Sequence, residues 1–197
     1  MILAAAVLSA VLIGLVRGGS LRRLASLPLR WAWVALAAFG LQIYLIYFPE
    51  PVNEGIASPR VGVLVFSYAL LFVVIWQNRA LPGVWLIGLG VLSNFAVMML
   101  NGGYMPITSE ALAQVGHSAN ILSPEPGARV RATKDIVLPR DQTIAWWLSD
   151  IFVLPPPFPI PSVFSVGDVL IALGAFWLIQ NGMCANEKET RAVGRGQ

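Results

Sequence analysis

Apolar residues along the chain fall into five long runs that are separated by polar segments. The runs cover residues 2–16, 31–48, 61–76, 84–100 and 163–179. A membrane-spanning helix needs about 20 mostly apolar residues, and a shorter run can borrow flanking residues or thin the bilayer locally. The pattern therefore predicts an all-α integral membrane protein of a single domain, a bundle of five transmembrane helices.

The positions of arginine and lysine predict how these helices are oriented. Eight of the 13 Lys and Arg residues follow the first, third and fifth runs. Positive residues accumulate in cytoplasmic segments, so the N-terminus is expected outside and the tail of residues 180–197 in the cytoplasm, in a plasma membrane. The first run precedes its arginines, whereas a secretory signal carries its positive charge first, so this run is expected to be a retained helix.

A long extracytoplasmic loop, residues 101–162, follows the fourth run. Apolar residues within 141–154 recur at helical spacing, which predicts an amphipathic helix that lies along the outer interface. The proline-rich segment 155–161 is expected to be extended and to lead into the last span, because proline lacks the amide proton that a helix needs. Residues 128–138 are compatible with a small hairpin.

Composition agrees with a membrane protein and excludes several kinds of chemistry. The chain is 57% hydrophobic and 12% charged, against about 25% charged residues in soluble domains, and its mean hydropathy is +0.72. The net charge of +3 is spread over short segments, so we expect membrane lipids as partners and no nucleic acid. Cys184 is the only cysteine and His117 the only histidine, so no intrachain disulfide, Cys/His metal site or other cofactor is expected.

Polar side chains occur at one depth in four of the predicted spans. Gln42, Ser67, Asn94 and Asp168 each lie about five or six residues from the outer end of their run. Polar groups inside a bilayer are costly, so each needs a partner or a function. One interpretation is a clamp of interhelical hydrogen bonds. The other is a polar pocket open to the outer leaflet, with Asp168 as its key residue.

Directly above that level lies the sequence Asn101-Gly102-Gly103-Tyr104-Met105-Pro106. Paired glycines allow backbone conformations that other residues resist, and the freed amides could face an anionic group. A plain helix end followed by a turn is the alternative. The candidate ligand-binding residues are Gln42, Asn94, Asn101, Gly102, Gly103, Tyr104, Met105, Pro106 and Asp168.

Two motifs carry a resemblance to a known family. Asn101 to Pro106, together with Ser165-Val166-Gly167-Asp168 entering the last span, resembles a bacterial multi-pass membrane family known only as a domain of unknown function. The resemblance implies the membrane architecture and draws attention to these motifs. It implies no activity.

No catalytic site is predicted. Gly167-Asp168 is similar to a motif of intramembrane aspartyl proteases, but their mechanism needs two carboxylates, and no other predicted span carries an Asp or Glu. Ser93 lies on a span without a nearby histidine, and His117 belongs to the loop, so a serine nucleophile would require that loop to fold back.

Basic and aromatic loop residues are candidates for contacts with lipid headgroups or a protein partner. They are Arg129, Arg131, Lys134, Trp146 and Trp147, with Arg140 nearby, and a solvated charged loop is the alternative. The leading hypothesis is a non-enzymatic protein that binds a lipid or small amphiphile near its outer face. An accessory or assembly subunit of a larger membrane complex is the second hypothesis. A small-solute or proton-coupled transporter that uses Asp168 is the third.

Overall fold

A computed structural model describes residues 2–47, 58–116 and 126–184. The described residues are mostly helical. The helices are α1 (Ile2–Val16), α2 (Leu21–Ala25), α3 (Ala32–Tyr47), α4 (Pro59–Gln77), α5 (Val84–Leu100), α6 (Ser109–Gln114) and α7 (Val166–Cys184), and the strands are β1 (Met105–Ile107), β2 (Asp135–Val137), β3 (Phe152–Leu154) and β4 (Ser162–Phe164). Each of the five apolar runs coincides with one helix, α1, α3, α4, α5 or α7.

Two of these helices, α4 and α7, are long and apolar enough to cross a membrane, judged by length and composition. The other three apolar helices, α1, α3 and α5, have 15 to 17 residues. The five-span bundle and the orientation of its ends therefore remain predictions. Phe48, His117 and the predicted cytoplasmic tail beyond Cys184 lie outside the described residues.

The apolar helices pack in the order α1, α7, α5, α4 and α3, so α7 lies between α1 and α5. Glycines allow the close approach of α5 and α7. A methyl group added at Gly174 would lie 2.6 Å from the carbonyl oxygen of Gly83 and 2.7 Å from the backbone nitrogen of Ile87. One added at Gly90 would overlap the backbone of Gly167. Small residues at a helix crossing permit this backbone contact, as in many membrane bundles.

The segment between α5 and α7, which we call the cap, contains two small sheets, so the all-α prediction is wrong in this respect. Strand β1 pairs in parallel with β2, and β3 pairs antiparallel with β4. The hairpin compatible with 128–138 is present: the Val130 amide donates to the Asp135 carbonyl over 3.1 Å, and the Val137 amide donates to the Ala128 carbonyl over 2.8 Å.

The predicted amphipathic helix over 141–154 is wrong. This segment forms two short 3₁₀ turns, Arg140–Gln142 and Trp146–Leu148, and then enters β3. Ala145 has a positive φ of 54°, which an α-helix does not permit. The amide of Asp150 donates to the Pro106 carbonyl of β1 over 3.2 Å. Backbone bonds to a distant segment therefore replace the local bonds of a helix.

The proline-rich segment 155–161 does not run extended into the last span. It forms the loop of the β3–β4 hairpin, in which Phe152 is paired with Phe164 and their rings stack with centroids 5.4 Å apart. Helix α7 consequently begins at Val166 rather than at 163, and it continues past 179 to Cys184.

Two asparagines at opposite ends of the bundle each bind the backbone of a neighbouring segment through a pair of hydrogen bonds. Each follows the end of its helix, Asn101 after α5 and Asn78 after α4. The Asn101 side chain donates to the Ile144 carbonyl and accepts from the Ile144 amide, both over 3.0 Å. The Asn78 side chain exchanges the same pair of bonds with the backbone of Arg30, both over 2.8 Å.

Candidate functional site

Polar side chains from four helices are joined as two pairs at the cap end of the bundle. Gln42 Nε2 of α3 donates to Ser67 Oγ of α4 over 2.7 Å. Asn94 Nδ2 of α5 donates to Asp168 Oδ1 of α7 over 3.0 Å. Ser165 completes the second pair, because its hydroxyl donates to Asn94 Oδ1 over 2.8 Å. We call Gln42, Ser67, Asn94 and Asp168 the polar layer; its bonds join neighbouring helices, as an interhelical clamp requires.

A lysine of the cap reaches into the polar layer. Lys134 Nζ donates to Gln42 Oε1 over 2.7 Å. Burial lowers the pKa of Lys134, and the nearby carboxylates of Asp135, Asp168 and Asp150 act in the opposite direction. The lysine thus brings positive charge to a cluster of three carboxyl groups at the boundary between the cap and the bundle.

Two arginines hold the end of α3 beneath the cap. Arg129 Nη2 donates to the carbonyls of Leu45 and Ile46 over 2.7 and 2.9 Å. Arg60 of α4 donates to the same Leu45 carbonyl over 2.9 Å, and its guanidinium lies 4.1 Å from the centre of the Tyr104 ring. Cations at a helix C-terminus satisfy its last carbonyls and the negative end of its dipole.

Two carboxyl groups of the cap are shifted toward their neutral forms. Burial raises the pKa of Asp135 to about 6, against the effects of the Thr133 hydroxyl and Lys134. Burial also raises the pKa of Asp150 well above its ordinary value, and the neighbouring Asp135 and Asp168 act in the same direction. Asp150 Oδ1 is buried and has no hydrogen-bond partner among the described residues.

A cavity of about 680 Å³ opens in the cap, and Asp150 forms part of its wall. We call it the cap cavity. Residues from β1, α6, β2, the two 3₁₀ turns and β3 line it. A cavity of this size can hold a small organic molecule, because ligand pockets typically measure about 300 to 1,000 Å³.

The wall of the cap cavity has both apolar and charged parts. Ile107, Val137 and Val153 belong to the apolar part and continue into the small hydrophobic core of the cap. The charged residues are Asp150, Glu110 and Arg140. The guanidinium of Arg140 lies 3.3 Å from the centre of the Trp146 ring. The pKa of Glu110 is lowered by its own backbone amide and by the Thr108 hydroxyl.

The Asn101 to Pro106 motif forms the connection from α5 to β1. Gly102 and Gly103 have φ values of +70° and +85°, and the Gly103 amide donates to the Met98 carbonyl over 2.7 Å, which closes the helix end. The ring of Tyr104 contacts the Arg60 guanidinium. Met105 packs in the bundle core and Pro106 is fully buried in β1, where it also lines the cap cavity. This arrangement favours the helix end and turn over an anion site.

The predicted basic and aromatic contact residues separate into three groups. Arg129 and Lys134 turn inward, to α3 and to Gln42. Trp146 lines the cap cavity beneath Arg140. Only Arg131 and Trp147 of this set are exposed, so contact with lipid headgroups or a partner remains a prediction for those two.

The sequence reasoning missed Asp150 and Glu110 as members of a site. Their sequence neighbourhoods show no chemical motif, and they reach the same cavity only because β1 lies beside the 149–151 segment: Ile107 forms a parallel bridge with Asp150. Within the described residues, no group of three His, Cys, Asp or Glu side chains could hold a metal ion.

These features define a mostly helical protein with candidate membrane spans, whose helices carry a small mixed cap with a cavity. The chain belongs to the family described as "Family of unknown function (DUF5317)", whose model matches residues 26–180. The resemblance to a family of unknown function is thereby confirmed. No curated protein and no solved structure matches the chain significantly.

Proposed function

We propose that the protein is a non-enzymatic multi-pass membrane protein that binds a small amphiphile in the cap cavity on the extracytoplasmic side. The apolar helices form the membrane domain, and the polar layer with Lys134 fixes the cap on top of them. The observation that carries the proposal is the cap cavity, because it combines a volume suited to a small molecule with both apolar and charged walls.

Exposed apolar side chains on the helices support the membrane part of the proposal. On α3, Trp33, Leu36 and Phe39 are 72%, 71% and 61% exposed. In α4 and α7, no more than about a third of the most apolar 18-residue window is buried, whereas the core helix of a soluble protein would be mostly buried. Large apolar surfaces of this kind suit contact with lipid.

The hydrogen bonds of the polar layer favour a structural role for these residues over a role in binding a ligand. Its members donate to and accept from one another and Lys134, and Gln42 and Asn94 are each only 9% exposed. A ligand at that depth would have to replace these bonds. The cap cavity offers space without that cost, so it takes the place of the pocket predicted within the bilayer.

Binding of three soluble probes to the purified full-length protein in lipid nanodiscs tests the proposal. Hexylamine, hexanol and hexanoate share a hydrocarbon chain and differ in the head group. We expect saturable binding of at least one probe, measured by isothermal titration calorimetry against empty nanodiscs. Absence of saturable binding for all three would contradict the proposal.

A pair of tryptophan variants tests whether the probes bind in the cap cavity. Ser109→Trp places a large side chain on an exposed residue of the cavity wall and should abolish binding. Ala113→Trp places the same side chain on the same helix at an exposed residue outside the wall and should leave binding unchanged. Binding that persists in Ser109→Trp would place the probes elsewhere.

A second candidate function is docking to a protein partner in the membrane. Ile144 and Trp147, three residues apart in the cap, are 55% and 57% exposed, and aromatic residues are common at interfaces. Gentle extraction from native membranes should then yield a complex that Ile144→Ser with Trp147→Ser dissociates. A single-chain mass in the native extract would contradict this function.

A further inference from the structure

We infer that the helical bundle binds the headgroups of anionic phospholipids at the end opposite the cap. This surface is separate from the cap cavity, and the inference rests on the proposed function only in taking the apolar helices as the membrane domain. We call the surface the arginine end. It carries Arg17, Arg22, Arg23, Arg30 and Arg79, which lie after α1, within α2, before α3 and after α4.

The segment between α1 and α3 brings these arginines together by crossing the end of the bundle. The Ser20 amide donates to the Met183 carbonyl of α7 over 3.1 Å. Further along the segment, the backbone of Arg30 exchanges two hydrogen bonds with the Asn78 side chain at the end of α4. Arg79 follows directly. The segment therefore runs from the end of α7 to the end of α4, and the arginines share one surface.

Helix α2 packs against the end of α7 through leucines. A methyl group added at Gly182 would lie 2.8 Å from Leu27 Cδ1 and 3.0 Å from Leu24 Cδ1. Leu21 is 52% exposed, and Arg22 is exposed as well. An exposed pair of an apolar and a basic side chain suits a helix that lies at a membrane interface, where the first enters the lipid and the second meets the headgroups.

Charge is distributed unequally between the two ends of the described chain. Basic and acidic side chains are equal in number at the cap end. The basic residues there are Arg60, Arg129, Arg131, Lys134 and Arg140, and the acidic residues are Glu110, Asp135, Asp141, Asp150 and Asp168. The arginine end holds its five arginines and, within the described ranges, no Asp or Glu. The sequence after Cys184 has three basic and two acidic residues, so it does not offset this charge.

The guanidinium groups retain N–H donors for a phosphate. A guanidinium has five such donors. Arg17 Nη1 donates to Gln180 Oε1 over 2.8 Å, and Arg79 Nη1 donates to the Trp76 carbonyl over 2.9 Å. Both arginine side chains are exposed, so other donors remain for a group at the surface. Arginine can bind two phosphate oxygens at once, and a phospholipid headgroup supplies such oxygens.

Exposed tryptophans favour a lipid membrane as the source of the anions. Trp31 and Trp33 lie at the start of α3, Trp76 in the last turn of α4 and Trp85 in the first turn of α5. They are between 48% and 72% exposed. Tryptophan is enriched where hydrocarbon meets the headgroups. An acidic protein would suit the arginines alone, whereas an anionic bilayer suits the arginines and the tryptophans together.

The lipids that the protein retains test the inference. The full-length protein is reconstituted in nanodiscs with equal amounts of phosphatidylglycerol and phosphatidylcholine of the same acyl chains. Native mass spectrometry then counts the lipids of each kind that stay bound after release. Both lipids carry a phosphate, but only phosphatidylglycerol has a net negative charge. We expect phosphatidylglycerol to be enriched at least about threefold among the bound lipids.

Charge reversal at each end of the molecule locates the enrichment. Arg22→Glu should lower it at least about twofold, whereas Arg22→Lys should retain it. Arg131→Glu is the matched control, because it makes the same change of charge at an exposed position of the cap, and it should retain the enrichment. Were Arg22→Glu not to fold, Arg79→Glu at the same end should lower the enrichment in its place.

Three results would overturn the inference. Equal retention of the two lipids by the wild-type protein would leave the cap cavity unaffected and point to an acidic protein as the partner of the arginine end. An enrichment that persists in Arg22→Glu, whether or not Arg131→Glu removes it, would place the anionic lipids elsewhere. Failure of the protein to insert into the nanodiscs would contradict the membrane domain of the proposed function, and this inference with it.

Discussion

Lys134 Nζ lies 2.7 Å from Gln42 Oε1, although 92 residues separate the two in the chain. This hydrogen bond joins a loop of the cap to the polar layer of the bundle. Through it, the position of the cap depends on helix α3, and the positive charge of the lysine is held near Asp135, Asp150 and Asp168. The cap is therefore anchored as well as covalently connected.

Removal of the lysine head group should destabilise the protein. In Lys134→Ala, Gln42 Oε1 loses its donor and the carboxyl groups of Asp135, Asp150 and Asp168 lose a nearby ammonium, so we expect a loss of about 1 to 3 kcal/mol in unfolding free energy. Thermal unfolding in detergent measures the change. Arg131→Ala removes an exposed charge three residues away and should shift the midpoint little. Equal midpoints for the two variants would contradict the anchoring role.

The contact between α5 and α7 should not tolerate an added methyl group. Gly174→Ala brings a Cβ within 2.6 Å of the Gly83 carbonyl oxygen, so the helices must separate, at a cost of about 1 to 3 kcal/mol. In the control Gly40→Ala, the new methyl meets nothing within 4 Å and a better helix former replaces glycine. Thermal unfolding should show a lower midpoint for Gly174→Ala alone. If the midpoint of Gly174→Ala were as high as that of the control, the α5–α7 crossing would have to accommodate the added methyl group.

Stability should fall as pH rises through the pKa of Asp135. Burial raises this pKa from 3.8 to about 6 in the folded chain, so the folded state holds a proton that the unfolded state has released between these values. The stability contribution of the neutral carboxyl is complete below about pH 4 and is lost as pH rises to about 6. The charged groups acting on Asp135 are Lys134, Asp168 and Arg129, and Asp135 in turn raises the pKa of Asp150. The thermal unfolding midpoint, measured from pH 4 to 7, should fall less steeply with pH in Asp135→Asn than in the wild type. The control Asp141→Asn should show the same pH dependence as the wild type.

The Asn101 side chain should protect the backbone amide of Ile144. Asn101→Ala removes both bonds to Ile144, so exchange of that amide with deuterium should become at least about tenfold faster. Asn181→Ala is a suitable control, because the side-chain amide of Asn181 is exposed and donates to Trp177 of its own helix. If exchange at Ile144 stayed slow in Asn101→Ala, another group would have to hold this segment.

The orientation of the bundle can be measured with a membrane-impermeant maleimide. In a Cys184→Ala background, Arg131→Cys on the cap should be labelled in intact cells, and Arg79→Cys after α4 should be labelled only after the membrane is disrupted. Both positions are exposed, so labelling reports the side of the membrane rather than burial. The opposite pattern would reverse the proposed topology and place the cap cavity in the cytoplasm.

The helices could be predicted from the sequence because each is a continuous apolar run. That Gln42, Ser67, Asn94 and Asp168 share a level along the helices could also be predicted, since helical rise converts residue counts into distance; their depth in a bilayer stays a prediction. Which of them pair depends on which helices are neighbours, and the apolar runs alone do not determine this; glycine contacts explain only the close approach of α5 and α7. The sequence therefore identified the members of the polar layer but not its two pairs or Lys134.

The cap was the least predictable part of the chain. The apolar spacing over 141–154 fits a helix, but Asn101 and Pro106 bind the backbone of Ile144 and Asp150 from more than 40 residues away. Such long-range bonds do not produce a periodic pattern of apolar residues, so the sequence pattern does not predict them. The cap cavity is assembled from segments that local pattern cannot bring together, and so Asp150 could not be identified as its buried acid.

Asn78 and Asn101 bind main-chain atoms, which every amino acid supplies, and this has a consequence for how the family can diverge. The two contacts require only a backbone N–H and C=O at positions 30 and 144, so proline, which lacks the N–H that each asparagine accepts, is the one residue incompatible with them. Correlated substitutions would not reveal these two contacts, because they place no demand on the partner's side chain.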